Sequence, residues 1–160
     1  MQLTTLCYIE QNDHVLMLHR IKKANDINKG KWIGVGGKFE HNESPDDCLL
    51  REVQEETGLT LDRWQLRGIV TFIYNDMDAE YMFLYTATAF HGTLHDNCRE
   101  GVLKWIPQKE VADLALWPGD RIFFRLLREA VPAFSLKLIY CGDQLIEAFL
   151  NGQPVAFEQE

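Results

Sequence analysis

The sequence predicts a mixed α/β domain, and three observations carry that expectation. β-prone runs separated by polar turns recur along the chain and mark it as strand-rich. Two segments instead space their apolar residues for a helix and carry start and stop signals. The 160 residues, 46% of them apolar, are enough to bury one core, and no repeat, low-complexity tract or linker divides them. Residues 1–160 are therefore expected to form a single domain.

Taken in order, Leu3–Glu10 and His14–Arg20 read as a β-hairpin across the polar turn Gln11–Asp13. Ile21–Lys31 is a polar loop carrying Lys22, Lys23, Lys29 and Lys31. These lysines are either solvated or, standing just before a carboxylate-rich stretch, meet substrate phosphates, Lys23 being the first candidate. Trp32–Phe39 is β-like, and its glycines permit close backbone approach, though it matches neither a Walker-type nor a dinucleotide fingerprint. A helix follows: Ser44 suits its N-cap, Pro45 its first position, Asp46 and Asp47 its positive end, and Gly58 its left-handed stop.

Trp64–Tyr74 and Glu80–Phe90 then read as strands joined by Asn75–Ala79. Val102–Ile106 is a shorter one, preceded by a loop carrying Asp96 and Glu100. Pro107 opens a short helical piece through Ala112. Trp117-Pro118-Gly119-Asp120 leads into a helix over Arg121–Ala130, with Ile122, Phe123, Leu126 and Leu127 on one face. Phe134–Cys141 and Gln144–Leu150 close the chain as a hairpin around Gly142-Asp143.

Composition narrows the function classes. A net charge of −8 argues against a nucleic-acid coat or a binder of anionic membranes. No apolar run approaches the roughly 20 residues of a membrane span, and MQLTTLCYIEQ lacks the features of a secretory signal, so a cytoplasmic protein is expected. Cys7, Cys48, Cys98 and Cys141 are scattered without a CxxC pair and read as reduced, mostly buried thiols. His91 and His95 read as loop residues, and the histidines form no ligand set.

The first functional candidate is the acidic helix. At roughly 100° per residue Glu52 and Glu56 stack, Glu55 takes the adjoining edge, and Leu49, Leu50 and Val53 form the apolar face beside them. Carboxylates so close repel one another unless water, a basic group or a metal intervenes. Arg51 is the only Lys or Arg between Lys38 and Arg63, which favours a metal site over a solvated face.

Gly37–Leu59 matches G-x5-E-x7-R-E-U-x-E-E-x-G-U, U being a bulky aliphatic, through Gly37, Glu43, Arg51, Glu52, Val53, Glu55, Glu56, Gly58 and Leu59. This is the signature of the Nudix hydrolases, and the sequence resembles that family. Lys23, Gly30-Lys31-Trp32, Phe72, Glu100, Trp105 and Trp117-Pro118-x-Asp120 extend the likeness to the MutT- and MutX-like 8-oxo-dGTP diphosphatases. The resemblance implies the Nudix α/β/α sandwich with a mixed sheet. It also implies a nucleotide as small-molecule substrate, no nucleic-acid or membrane partner, and a monomer or homodimer.

The same resemblance implies the site. Mg²⁺, or Mn²⁺ in its place, would take ligands from Gly36, Glu52, Glu55, Glu56 and Glu100. Glu52, Glu55, Glu56 and Arg51 would be the catalytic group, with Glu55 a ligand, a water-mediated ligand or the base. Arg51 would orient Glu55 or Glu43. Lys23, Gly37 and Lys38 would meet phosphate. Tyr8, Ile33, Phe72, Tyr74, Tyr81, Trp117 and Asp120 would form the base pocket, although several of these aromatics read equally well as core, and Asp120 as a helix cap. Ile33 and Gly119 depart from the animal enzymes, which carry an asparagine and an acidic residue there.

Overall fold

The computed structural model describes residues 1–158. Among them nine strands and two α-helices follow the chain as β1(Gln2–Gln11), β2(His14–His19), β3(Trp32–Ile33), α1(Pro45–Thr57), β4(Leu59–Tyr74), β5(Glu80–Gly92), β6(Val102–Pro107), α2(Asp120–Arg128), β7(Phe134–Cys141), β8(Gln144–Leu150) and β9(Gln153–Pro154). A short 3₁₀ segment, Gln108–Asp113, fills the helical piece expected after Pro107.

The large sheet is mixed. β1 pairs with β5 in parallel, β5 with β4 antiparallel, β4 with β7 in parallel, and β8 and β9 extend it antiparallel. β3, β2 and β6 form an antiparallel arm joined through the β1–β2 hairpin. That hairpin turns at Asn12 and Asp13, with φ of 50° and 60°, the left-handed pair a two-residue turn requires. Each helix covers one side. α1 lies over a cluster that includes Cys7, Ile9, Leu49, Val53 and Tyr85, whereas Ile122, Phe123 and Leu126 of α2 join the larger cluster with Tyr8, Phe72 and Trp117. The α/β/α sandwich expected from the resemblance is the architecture observed.

The helix α1 begins and ends where its local signals place it. Ser44 accepts from the Asp47 amide and Asp47 accepts from the Ser44 amide, each at 3.0 Å, a reciprocal cap that occupies two otherwise orphaned donors. Gly58 adopts φ 80° and closes the helix. Asp46 does more than favour the helix end: it accepts from Trp64 Nε1 at 2.9 Å and the Tyr85 hydroxyl at 3.2 Å, tying α1 to the sheet.

Three boundaries differ from the sequence reading. β4 starts at Leu59, not Trp64, because irregularities between Leu61 and Trp64 break the alternation that would have announced it. β5 runs on through His91, which pairs with Thr60 and holds Asp62 at 2.9 Å, so His91 belongs to a strand and not to a loop. α2 spans Asp120–Arg128, with Asp120 inside it. Cys7, Cys48 and Cys98 are buried and Cys141 is exposed, all as free thiols. Among the described residues no helix is long and apolar enough to cross a membrane.

Candidate active site

The glycine-rich stretch after β3 runs antiparallel against β1, through Val35 N–H to Cys7 O at 3.0 Å, Thr5 N–H to Gly37 O at 2.9 Å and Phe39 N–H to Leu3 O at 3.1 Å. A Cβ on Gly36 (φ 154°) would overlap the Thr5 carbonyl oxygen, so only glycine permits this approach. The stretch thereby passes under α1. Gly36 N–H donates to Glu56 Oε1 at 2.8 Å, and the Glu52 carboxylate sits 2.5 Å from where a Cβ on Gly37 would stand.

Arg51 organises the outer side. Its Nε and Nη2 each donate to Glu43 at 2.8 Å, Nη1 reaches Glu52 at 2.8 Å and Glu55 at 3.3 Å, and Nη2 also caps the Lys38 carbonyl at 2.9 Å. The planar guanidinium suits the bidentate grip on Glu43. The sequence left Glu43 and Glu55 as alternative partners; Arg51 holds both. Its contacts keep the Glu43 carboxyl down near 2, with the Glu43 side chain largely covered by the guanidinium and its loop. Glu55 points outward, its side chain 57% exposed.

The inner carboxylates are in the opposite condition. Glu56 is buried and its Oε2 has no partner among the described residues. Burial above all pushes its carboxyl up to about 8; the Gly36 amide opposes this, while Glu100 and Glu52 add to it. Glu100 reaches the same place from its loop, where Arg20 Nη1 holds one oxygen at 3.1 Å and Lys23 Nζ the other at 3.4 Å. Arg20 also grips Asp26 at 2.8 Å. Its part was missed in the sequence because it reads as the unremarked last residue of a strand.

These groups open on a cleft of about 540 Å³ whose lining includes Glu52, Glu56, Glu100, Asp26, Glu80 and Asp120 against Arg20, Lys23 and Lys38. The carboxyl groups outnumber the cations, and Arg20 and Lys23 are already paired with Asp26 and Glu100, so the wall offers phosphate little without an added cation. Among the described residues no three His, Cys, Asp or Glu side chains already converge as a metal cage. A hydrated Mg²⁺ held by few protein oxygens and by substrate phosphates needs no such cage. The buried, unpartnered Glu56 oxygen beside Glu52 and Glu100 fits it.

The apolar end of the cleft is lined by Ile33, Phe72, Met82 and Trp117. Trp117 meets Phe72 edge-on at 5.2 Å and Tyr140 at 5.0 Å, and its Nε1 donates to Asn28 Oδ1 at 2.7 Å. Tyr74 stands behind, parallel to Phe72 at 6.5 Å. Tyr8 lies beneath, buried against Phe124 at 4.7 Å. Neither Tyr8 nor Tyr74 lines the cleft.

Tyr81 requires correction. It pairs with Leu3 and Thr71 between the cleft-lining residues Glu80 and Met82, and strand alternation turns it to the other face of the sheet. Thr4, Leu6, Glu80 and Met82, which the sequence reading passed over, occupy the face instead. Thr4 donates to Glu80 at 2.8 Å.

Asp120 faces the cleft from the first turn of α2 and is buried. Burial pushes its carboxyl up to about 8, against the opposing pull of Arg121 and Lys31. A group raised in the folded protein stabilises it below the unfolded value, and that stability is lost as pH rises through the folded value. In metal-free protein, Asp120→Asn is therefore expected to match the parent near pH 4. It should grow more stable than the parent up to about pH 8, by on the order of a few kcal/mol. Chemical denaturation across that range checks this; parallel stability curves would refute it.

Fold and cleft together define an α/β/α protein whose acidic helix and glycine-rich strand face a mixed-charge, aromatic-ended pocket. The NUDIX domain family model matches residues 1–127. Over 124 residues, covering 75% of each chain, the sequence is 35% identical to the uncharacterized Nudix hydrolase YvcI of Bacillus subtilis (strain 168). It is 29% identical to the oxidized purine nucleoside triphosphate hydrolase of Mus musculus over 142 residues, 88% of this chain and 84% of that one. The crystal structure of a MutT protein from Bacillus halodurans superposes with a TM-score of 0.86 at 28% identity, covering 96% of this chain and 100% of that one. The chain belongs to the NUDIX family and is a Nudix hydrolase.

Proposed function

We propose that residues 1–160 act as one catalytic unit, a Mg²⁺-dependent nucleoside triphosphate pyrophosphohydrolase that removes oxidised purine nucleotides, 8-oxo-dGTP foremost, from the nucleotide pool. The observation that carries this reading is the single cleft in which the Glu52, Glu56 and Glu100 carboxyls and the Lys23 ammonium stand at one end, and Phe72, Trp117 and Asp120 at the other. A triphosphate and a flat base need such a two-ended site. The similarity to the mouse oxidized purine nucleoside triphosphate hydrolase supports the choice of base.

Glu52, Glu56 and Glu100, with the Gly36 carbonyl and Glu55, would hold the Mg²⁺ (Mn²⁺ being the alternative), which supplies charge neutralisation and an acidified water when bound. Lys23 and Lys38, with the backbone at Gly37, bind and orient the phosphates. Water attacks the β-phosphorus, the bond from that phosphorus to the oxygen bridging to the α-phosphate breaks, and nucleoside monophosphate leaves with pyrophosphate as the other product. The water's proton passes to a glutamate of α1, Glu55 being the solvent-facing candidate for base. Arg51 keeps that helix and the Glu43 loop in register.

At the base end, Phe72 and Trp117 offer apolar surface and Ile33 covers the slot. Asp120, protonated near neutral pH, both donates to and accepts from a purine edge. Gly119 is needed for space: a Cβ there would stand 2.6 Å from Leu138 Cδ1 and from the Tyr140 hydroxyl. A side chain at 119 would have to push the ends of Leu138 and Tyr140 aside, and Asp120 reads the base without a second carboxyl there.

The test is pyrophosphate release with Mg²⁺ from 8-oxo-dGTP and from dGTP. Faster turnover of the oxidised nucleotide is expected, and equal, slow turnover of both would sink the sanitising role. A second reading keeps the chemistry and enlarges the substrate, because the cleft lining also takes in Gln2, Thr4 and Glu80. A dinucleoside polyphosphate, ADP-ribose or nucleotide sugar hydrolysed faster than any triphosphate would favour it.

A further inference from the structure

A second cleft, of about 480 Å³, opens beneath α2 at the far end of β1 and shares no lining residue with the first. Its character is opposite. Arg67, Lys109, Arg121 and Arg128 line it against one carboxylate, Glu10, in a chain with 24 acidic and 16 basic residues. Among the described residues Arg67, Lys109 and Arg128 make no ion pair.

The placement of Arg67 is built in. The pairing of β4 with β5 slips between Leu66 and Gly68, leaving Arg67 as the extra residue. A bulge re-aims a side chain that alternation would have sent elsewhere. Here it turns the guanidinium under α2, where it donates to Thr86 Oγ1 at 3.3 Å and to the Leu127 carbonyl at 3.2 Å. Arg121 is likewise steadied by the Ala112 and Leu114 carbonyls at 3.2 and 3.4 Å. The hydroxyl and carbonyl partners of Arg67 fix its guanidinium in place, with Glu10 the carboxylate beside it in the cleft. Between the cations, Phe124 and Val111 supply apolar wall.

We propose that this cleft is a second ligand site, for a small phosphorylated nucleoside. Anchored cations bind the phosphate, the apolar wall takes the flat base, and the concavity has the volume of a small-molecule site and not of a flat protein interface. The site does not depend on which nucleotide the first cleft hydrolyses.

The experiment uses the ¹⁵N-labelled full chain without metal, titrated with adenosine 5′-monophosphate. Saturable shifts of the Val111, Ala112 and Phe124 amides are expected. The charge reversal Lys109→Glu with Arg128→Glu, both at exposed positions, should weaken the binding that they report by roughly tenfold or more. The amide spectrum elsewhere should stay unchanged, which separates lost binding from lost folding. Shifts confined to Gly36 and Trp117, or equal affinity in the double variant, would overturn the proposal. So would inorganic phosphate binding as tightly as the nucleotide, since the apolar wall would then contribute nothing. An acidic peptide that moves these amides while the nucleotide does not would assign the surface to a protein partner instead.

Discussion

Glu56→Gln is expected to lower turnover by at least roughly a hundredfold while leaving the metal-free protein as stable as the parent, or more so. The two effects share one cause. The Glu56 carboxyl is buried with one oxygen on the Gly36 amide at 2.8 Å and the other without a partner among the described residues. Its charge is costly to the fold and useful only to a cation. Glutamine keeps the shape and the Gly36 contact but removes the charge. Turnover of 8-oxo-dGTP, read beside thermal unfolding without metal, separates the outcomes. An active variant would remove Glu56 from its assigned role, and an inactive but unfolded one would show that burial, not charge, is what Glu56 provides.

Arg51→Ala should have the second largest effect, and a different signature. Its guanidinium is the shared partner of Glu43, Glu52 and Glu55 and of the Lys38 carbonyl. Without it three carboxylates face one another and the Glu43 loop loses its hold on α1. Turnover is expected to fall by roughly tenfold to a hundredfold through displaced carboxylates, together with a lowered unfolding midpoint at neutral pH.

The pH dependence identifies the cause. The Glu43 carboxyl is held near 2 against an ordinary 4.5, so its contribution is present above about 4.5 and is lost as pH falls toward 2. The gap between parent and variant should therefore narrow over that window. A gap that stays constant would mean that Arg51 acts through packing alone. Arg51→Lys should recover little, because an ammonium cannot make the bidentate contact.

Local features of the chain follow from adjacent residues. Ser44, Pro45 and Gly58 mark the ends of α1 because caps act within one turn, and Glu52 and Glu56 share a side because helical geometry puts them there. The Asn12-Asp13 turn and the α2 face are of the same kind. Sheet register is not local. Whether Tyr81 or its neighbours Glu80 and Met82 face the cleft depends on pairing with β1 and β4, and a one-residue slip exchanges the faces.

The acidic helix, its companion loop and the family motif were thus determined by the sequence itself, through spacings of a few residues. Tertiary structure alone decided that Glu100 meets Arg20 across 80 positions and that Trp117 meets Asn28 across 89. It also decided that a bulge delivers Arg67 to a second, basic cleft. The reason is physical: short-range hydrogen bonds and helical periodicity are written in adjacent residues, whereas burial, strand register and the meeting of distant charges exist only once the sheet has closed around its core.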